Sequence, residues 1–217
     1  MNFLEAHRIA ANFAGGPALN FLLAVSGGTE KLGVFLAAAG AKRGRSVNVR
    51  TFPFNTLGQN VLTSPPDQRT EVFILFPWDF VPEADWRSGL PTSTIELSAL
   101  QHSAQTLANR LQSRPAARIL YVPAPIPPIF SDPGKSRSLH LWLATIAGAI
   151  GAEFLSPEVF SLASYLSNGN PFAGAQLGTV AERVVERALG SLPESAKVLV
   201  TDLDNVMWHG VVGEDGV

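Results

Sequence analysis

Four short apolar runs, each cut off by small, polar or proline residues, dictate the kind of fold open to this chain. "NFLLAV" (20–25) stops at Ser26-Gly27-Gly28, and "VNVRTF" (47–52) leads into Pro53-Phe54-Asn55. "EVFILF" (71–76) stops at Pro77-Trp78-Asp79, and "ARILYV" (117–122) runs into "PAPIPP". Mostly apolar runs of this length suit strands buried on both faces of a parallel sheet. The segments between them carry helical signals. One helix is expected over about 29–42. In a second, Ser93 and Glu96 have capping-box spacing ahead of a stripe of Ile95, Leu100, Ala104, Leu107 and Leu111, with Pro115 closing the unit. Further helices are expected over about 136–150 and 174–189, the last with Val180, Val184, Val185 and Leu189 on one face. Strand and helix in alternation predict an α/β fold, a doubly wound parallel sheet with right-handed crossovers.

Composition sets the outer limits. A chain of 217 residues that is 46% hydrophobic can bury a substantial core. Its 16 basic and 18 acidic side chains leave a net charge of −2, with no clustered basic face of the kind nucleic acid requires. Lys42, Arg43, Arg45 and Arg50 read as a helix C-terminus and the loop after it. Without cysteine, disulfides, zinc–thiolate sites and thioester chemistry on this chain are excluded. The most membrane-like run, Leu141–Ala152, is too short to span a bilayer and reads as a buried helix. No membrane contact is expected, and the expected compartment is the cytoplasm.

Two loops, "SNGNPFAG" (167–174) and "GSLPES" (190–195), look like joints. The boundary expected from them lies near residue 192, dividing the chain into 1–192 and 193–217. After it, "KVLV" begins another strand and delivers Asp202 and Asp204, one residue apart, to that strand's carboxyl end. Two carboxylates so close repel each other unless a cation or a shared proton relieves them. Magnesium would do so, and would neutralise a phosphate brought to the same place.

The wider string, "KVLVTDLDNVMWHGVVGEDG", resembles the opening of the catalytic domain of FkbH-like proteins in the haloacid dehalogenase (HAD) superfamily. Val206 stands where that family often has Thr, and His209 where Gly is common. The resemblance implies that Asp202 is the phosphoryl-accepting nucleophile and Asp204 the acid/base. It also implies that both are metal ligands, the Asp202 carboxylate and the Asp204 carbonyl holding Mg2+ in the complete protein. The superfamily's later motifs have no counterpart up to Val217. Residues 193–217 are therefore expected to be the first strand and motif of a second α/β domain, with no magnesium held by this chain alone.

FkbH-like proteins commonly carry an N-terminal domain with an SGNH-hydrolase-like fold, a Rossmann-like three-layer sandwich. "LLAVSGGTEKLGVFLAAAGAKRG", "VRTFPFNTLGQNVL" and "VFILFPWDFVPEADWRSGLP" resemble its first three strand units. Ser26, Gly27, Asn55 and Asp79 are the binding residues this implies, all at strand ends expected to line one cleft. A serine hydrolase would use Ser26 as nucleophile, with Gly27 and Asn55 as oxyanion donors. The late Asp-x-x-His of SGNH enzymes is missing, since Asp132 and His140 are eight residues apart. His140 reads as a core or capping residue, and His7 and His102 have no evident partner. Trp78, Trp86 and Trp142 could line the cleft but read first as buried structural residues. The loop 123–134 is expected to shape it.

The leading expectation is thus the N-terminal part of an FkbH-like protein, whose complete form makes glyceryl-acyl carrier protein from a phosphorylated glycerate. The loading step uses a cysteine, so this chain is expected to be a noncatalytic recognition or scaffold domain. Its partner would be the acyl carrier protein or the downstream HAD domain. The rivals are a stand-alone SGNH-type esterase using Ser26 and an interaction module unrelated to phosphate.

Overall fold

The computed structural model describes residues 1–67, 69–89 and 96–190. The expected boundary near 192, the strand after it, Asp202 and Asp204 lie outside the described residues. So does Ser93.

The four apolar runs form four strands: β1 (Ala18–Val25), β2 (Ser46–Thr51), β3 (Thr70–Leu75) and β4 (Ala117–Tyr121). A two-residue β5 (Glu153–Phe154) completes an all-parallel, five-stranded sheet in the order β2-β1-β3-β4-β5. The fold is the doubly wound α/β class expected. Burial follows position in the sheet. Central β1 and β3 bury nearly every residue over their second halves, whereas edge strand β2 leaves Asn48, Arg50 and Thr51 exposed.

Eight helices surround the sheet among the described residues: α1 (Phe3–Ala11), α2 (Leu32–Ala41), α3 (Leu57–Thr63), α4 (Pro77–Phe80), α5 (Leu97–Gln112), α6 (Pro133–Ala149), α7 (Leu162–Asn168) and α8 (Leu177–Leu189). Helices α1, α2 and α8 pack together, with α8 lying against β1 and β3; α3, α5 and α6 form a second contiguous group. Right-handed crossovers require such a split. From β1 the chain winds one way to β2, and from β3 it winds the other way to β4 and β5, so the connecting helices fall on opposite faces.

Two helix starts differ from expectation for local reasons. Glu96 has an extended backbone (ψ 127°) and stands at the N-cap of α5, so the Ser93–Glu96 capping box is not the start of this helix. Helix α6 begins earlier than expected, at Pro133. Asp132 caps it through the Gly134 amide, and proline at the first helical position surrenders no hydrogen bond. Among the described residues, no helix is long and apolar enough to cross a membrane.

Candidate functional site

In a parallel sheet of order 2-1-3-4-5 the winding direction reverses between β1 and β3, which opens a crevice beyond their carboxyl ends. Here that crevice is a cleft of about 250 Å³. Ser26, Trp78 and Asp79 form its inner part, and Asn55, Gln59, Asp85 and Ser88 stand around it.

Each side chain is set by its element. Ser26 is the first residue beyond β1 and is buried. Pro77 has no amide to continue the β3 ladder, and the chain turns there into α4. The turn is locked by a reciprocal pair: the Asp79 carboxylate accepts the Phe76 amide at 2.7 Å, and the Asp79 amide donates to the Phe76 carbonyl at 3.0 Å. The turn therefore aims Trp78 and Asp79 back at the end of β1. The Trp78 indole N–H donates to Ser26 Oγ at 2.9 Å, and the Ser26 hydroxyl bonds the Asp79 carboxyl. Asn55 holds a left-handed backbone (φ 57°), which asparagine tolerates better than most residues, in the turn before α3.

Trp78 is fixed on both faces. Phe76 stacks on it at 4.5 Å between ring centroids and Tyr165 at 4.7 Å. The Tyr165 hydroxyl donates to Asp85 at 3.0 Å, tying α7 to the loop after α4. Arg87 extends this wall, its guanidinium 5.1 Å from the Phe54 ring and 5.6 Å from the Tyr165 ring.

The electrostatics are unusual for a carboxylate. Asp79 lines the cleft, yet burial of its carboxyl pushes its pKa from the ordinary 3.8 up to about 7. Hydrogen bonds from Ser26 and the Phe76 amide act against this shift, and the charge of Asp85 adds to it. No lysine, arginine or histidine is among the described residues lining the cleft. Burial likewise raises the pKa of the Tyr121 and Tyr165 hydroxyls, so both stay protonated and Tyr165 remains a donor.

The structure brings Ser26, Asn55 and Asp79 together. Gly27 does not line the cleft; a Cβ there would stand 2.3 Å from Pro171 Cδ, so its missing side chain serves close packing against the 169–171 segment. Trp78 is both structural and cleft-lining. Trp86 and Trp142 only pack against the core, and Trp86 donates to the Pro125 carbonyl at 2.7 Å. No residue of 123–134 lines the cleft: the loop turns inward, burying Ala124, Ile126 and Ile129, instead of reaching over the end of β1. His140 sits within α6, its Nδ1 3.2 Å from the Ser136 carbonyl, and Asp132 is engaged as a cap. Sequence reasoning missed Gln59, Asp85, Ser88 and Tyr165. The Ser-Gly, Pro-Phe-Asn and Pro-Trp-Asp punctuation after three strands marked the others, whereas nothing local links Tyr165 to Asp85.

No protein-family model and no curated protein matches the sequence. Among solved structures, the fold is similar to that of the N-terminal part of the protein BF1531 from Bacteroides fragilis, a crystal structure containing a phosphatase domain complexed with Mg. The TM-score is 0.62 at 16% identity, over 100% of this chain and 64% of that one. Identity this low establishes shared fold, and the chain spans less than two thirds of that structure's length. Among the described residues, no group of three or more His, Cys, Asp or Glu side chains is arranged to hold a metal.

Proposed function

We propose that residues 1–192 are a noncatalytic recognition domain of an FkbH-like protein, joined to a HAD-type phosphatase or transferase domain that opens with residues 193–217. The observation that carries this reading is the state of Ser26. Its Oγ accepts the Trp78 N–H, and no histidine is among the described residues lining the cleft to take its proton. Gly27, the expected oxyanion donor, does not line the cleft. A fold shared with a protein whose crystal structure contains a phosphatase domain complexed with Mg supports the wider assignment.

Phosphate chemistry then belongs to Asp202 and Asp204. Both are hard oxygen donors of the type magnesium prefers, whereas the described residues supply no such set. In this reading Asp202 attacks phosphorus and Asp204 protonates the leaving oxygen; the same two residues would hold Mg2+, which would supply neutralisation of the phosphate charge. The acyl carrier protein or the HAD domain is the partner of residues 1–192, and the glycerate-loading activity belongs to the complete protein.

One observation favours an esterase instead: the Ser26–Asp79 hydrogen bond, with a carboxyl that titrates near neutrality. A fluorophosphonate probe and a short-chain ester assay decide between the two. The recognition reading expects no labelling and no turnover above background; labelling abolished in Ser26→Ala would replace it with the esterase. For the wider assignment, the full-length gene product is expected to release phosphate from a phosphorylated glycerate, with activity lost in Asp202→Asn. Release that persists in that variant overturns the roles given to the aspartates.

A further inference from the structure

We infer that the cleft between Ser26, Asn55, Gln59, Asp79 and Ser88 binds a compact, uncharged, hydroxyl-rich ligand of about monosaccharide size, and rejects phosphorylated and aromatic ones. This deepens the recognition reading and rests on it, since the ligand is held and not cleaved.

The ligand class follows from what the lining offers and what it withholds. Asp79 and Asp85 face the cleft with no cation among its described lining residues, so an anionic phosphate would be repelled by one or both carboxyls and paired with neither. Nor is there a stacking platform among the described lining residues. Trp78 is covered on one face by Phe76 and on the other by Tyr165, so only its edge is left for the cleft, and that edge is bonded to Ser26. A nucleobase or other flat ring would find no partner there.

What remains is hydrogen bonding of mixed polarity. The side chains of Asn55, Gln59 and Ser88 line the cleft, and none makes a hydrogen bond within the described protein. They bring amide donors and amide and hydroxyl acceptors. Asp79 and Asp85 add acceptors, and Asp79, with its pKa near neutrality, is also a donor when protonated. A hydroxyl is both donor and acceptor, so adjacent hydroxyls match such alternation better than a ligand of one type. A volume of about 250 Å³ admits a molecule of several carbons and no extended chain.

The test uses the purified chain with glycerol, glucose and myo-inositol as neutral probes, and glycerol 3-phosphate and glucose 6-phosphate as matched anions. Backbone amide shifts in two-dimensional NMR are the readout. At least one neutral probe is expected to shift Ser26, Asn55, Gln59 and Asp79 together, with its phosphorylated counterpart about tenfold weaker or worse. Gln59→Ala, at an exposed position of α3, is expected to weaken the neutral probe severalfold. Asn55→Gly should do the same while keeping the left-handed backbone. Absence of shifts with all three neutral probes, equal or tighter binding of the phosphorylated forms, or binding indifferent to both variants would overturn the inference. None of these outcomes touches the recognition reading, which stands or falls on the serine probe and the ester assay.

Discussion

The two ends of strand β3 each hold a carboxyl and treat it in opposite ways. Glu71, at the start, is buried against Arg114 at 2.7 Å, and its Oε1 also accepts the Asp67 amide. Arg114, itself buried, turns its Nη2 group to the carbonyls of Asn60, Val61 and Ser64 at the end of α3. Asp79, just past the other end, has no cation among the described residues lining its cleft. Its partners are the Phe76 amide and the Ser26 hydroxyl, and burial lifts its pKa to about 7. A buried charge with a matched counter-ion reads as structure. One left to find its own proton, at the end of the sheet where ligands bind, reads as a site.

Breaking the structural end should have the largest effect. Arg114→Ala leaves the Glu71 charge buried and unpaired and uncaps α3, at an expected cost of about 3–5 kcal/mol in chemical denaturation. The double replacement Arg114→Met with Glu71→Met should lose much less, because the uncompensated charge goes with its partner. If the double variant is no more stable than the single one, the carbonyl caps and not the ion pair hold this end together.

The site end should show itself next, through pH. The folded state holds the Asp79 proton more tightly than the unfolded chain. This group's contribution to stability is therefore full below its ordinary pKa of 3.8 and is lost progressively as pH rises to about 7, then stays flat. Asp79→Asn cannot ionise and should remove that slope. Above pH 7 it should be more stable than the parent, by on the order of 1–3 kcal/mol. Parallel stability–pH curves for the two proteins would mean that the Asp79 carboxyl is better solvated than its burial implies.

Ser26→Ala is expected to cost less, about 1–2 kcal/mol, since it leaves the buried Trp78 N–H without its acceptor. It also removes a hydrogen bond that holds the Asp79 pKa down, so carbonyl-detected NMR titration should find Asp79 releasing its proton at a higher pH than in the parent. A lower midpoint would contradict the assigned direction of that bond.

The contrast between the ends of β3 also explains what was legible in the sequence. Strands β1 to β4 were readable because each is a run of apolar residues ended by an abrupt change of chemistry, and the same punctuation pointed to Ser26, Asn55 and Asp79. Strand β5, with two residues, is too short to carry a pattern. Helix α3 escaped notice because it buries only Leu57 and Val61, and α7 because it buries only Tyr165. The partners that give each carboxyl its character, Arg114 for Glu71 and the Tyr165–Asp85 wall beside Asp79, are joined across 43 and 80 residues. No local pattern encodes a contact of that range; it appears only when the sheet order has been set.

The smallest effect is expected from that wall. Tyr165→Phe deletes the hydroxyl that donates to Asp85 and keeps the ring that stacks on Trp78. Asp85 is only half-buried and still accepts the Arg87 amide at 2.8 Å, so water can take the vacated place. The expected loss is about 0.5–1 kcal/mol, the ordinary net value of one hydrogen bond. Trp78 fluorescence should hardly change, because the stack persists. A loss as large as that of Ser26→Ala, or a marked shift in Trp78 emission, would show that the hydroxyl positions the whole aromatic wall. Tyr165 would then belong to the cleft as firmly as the serine does.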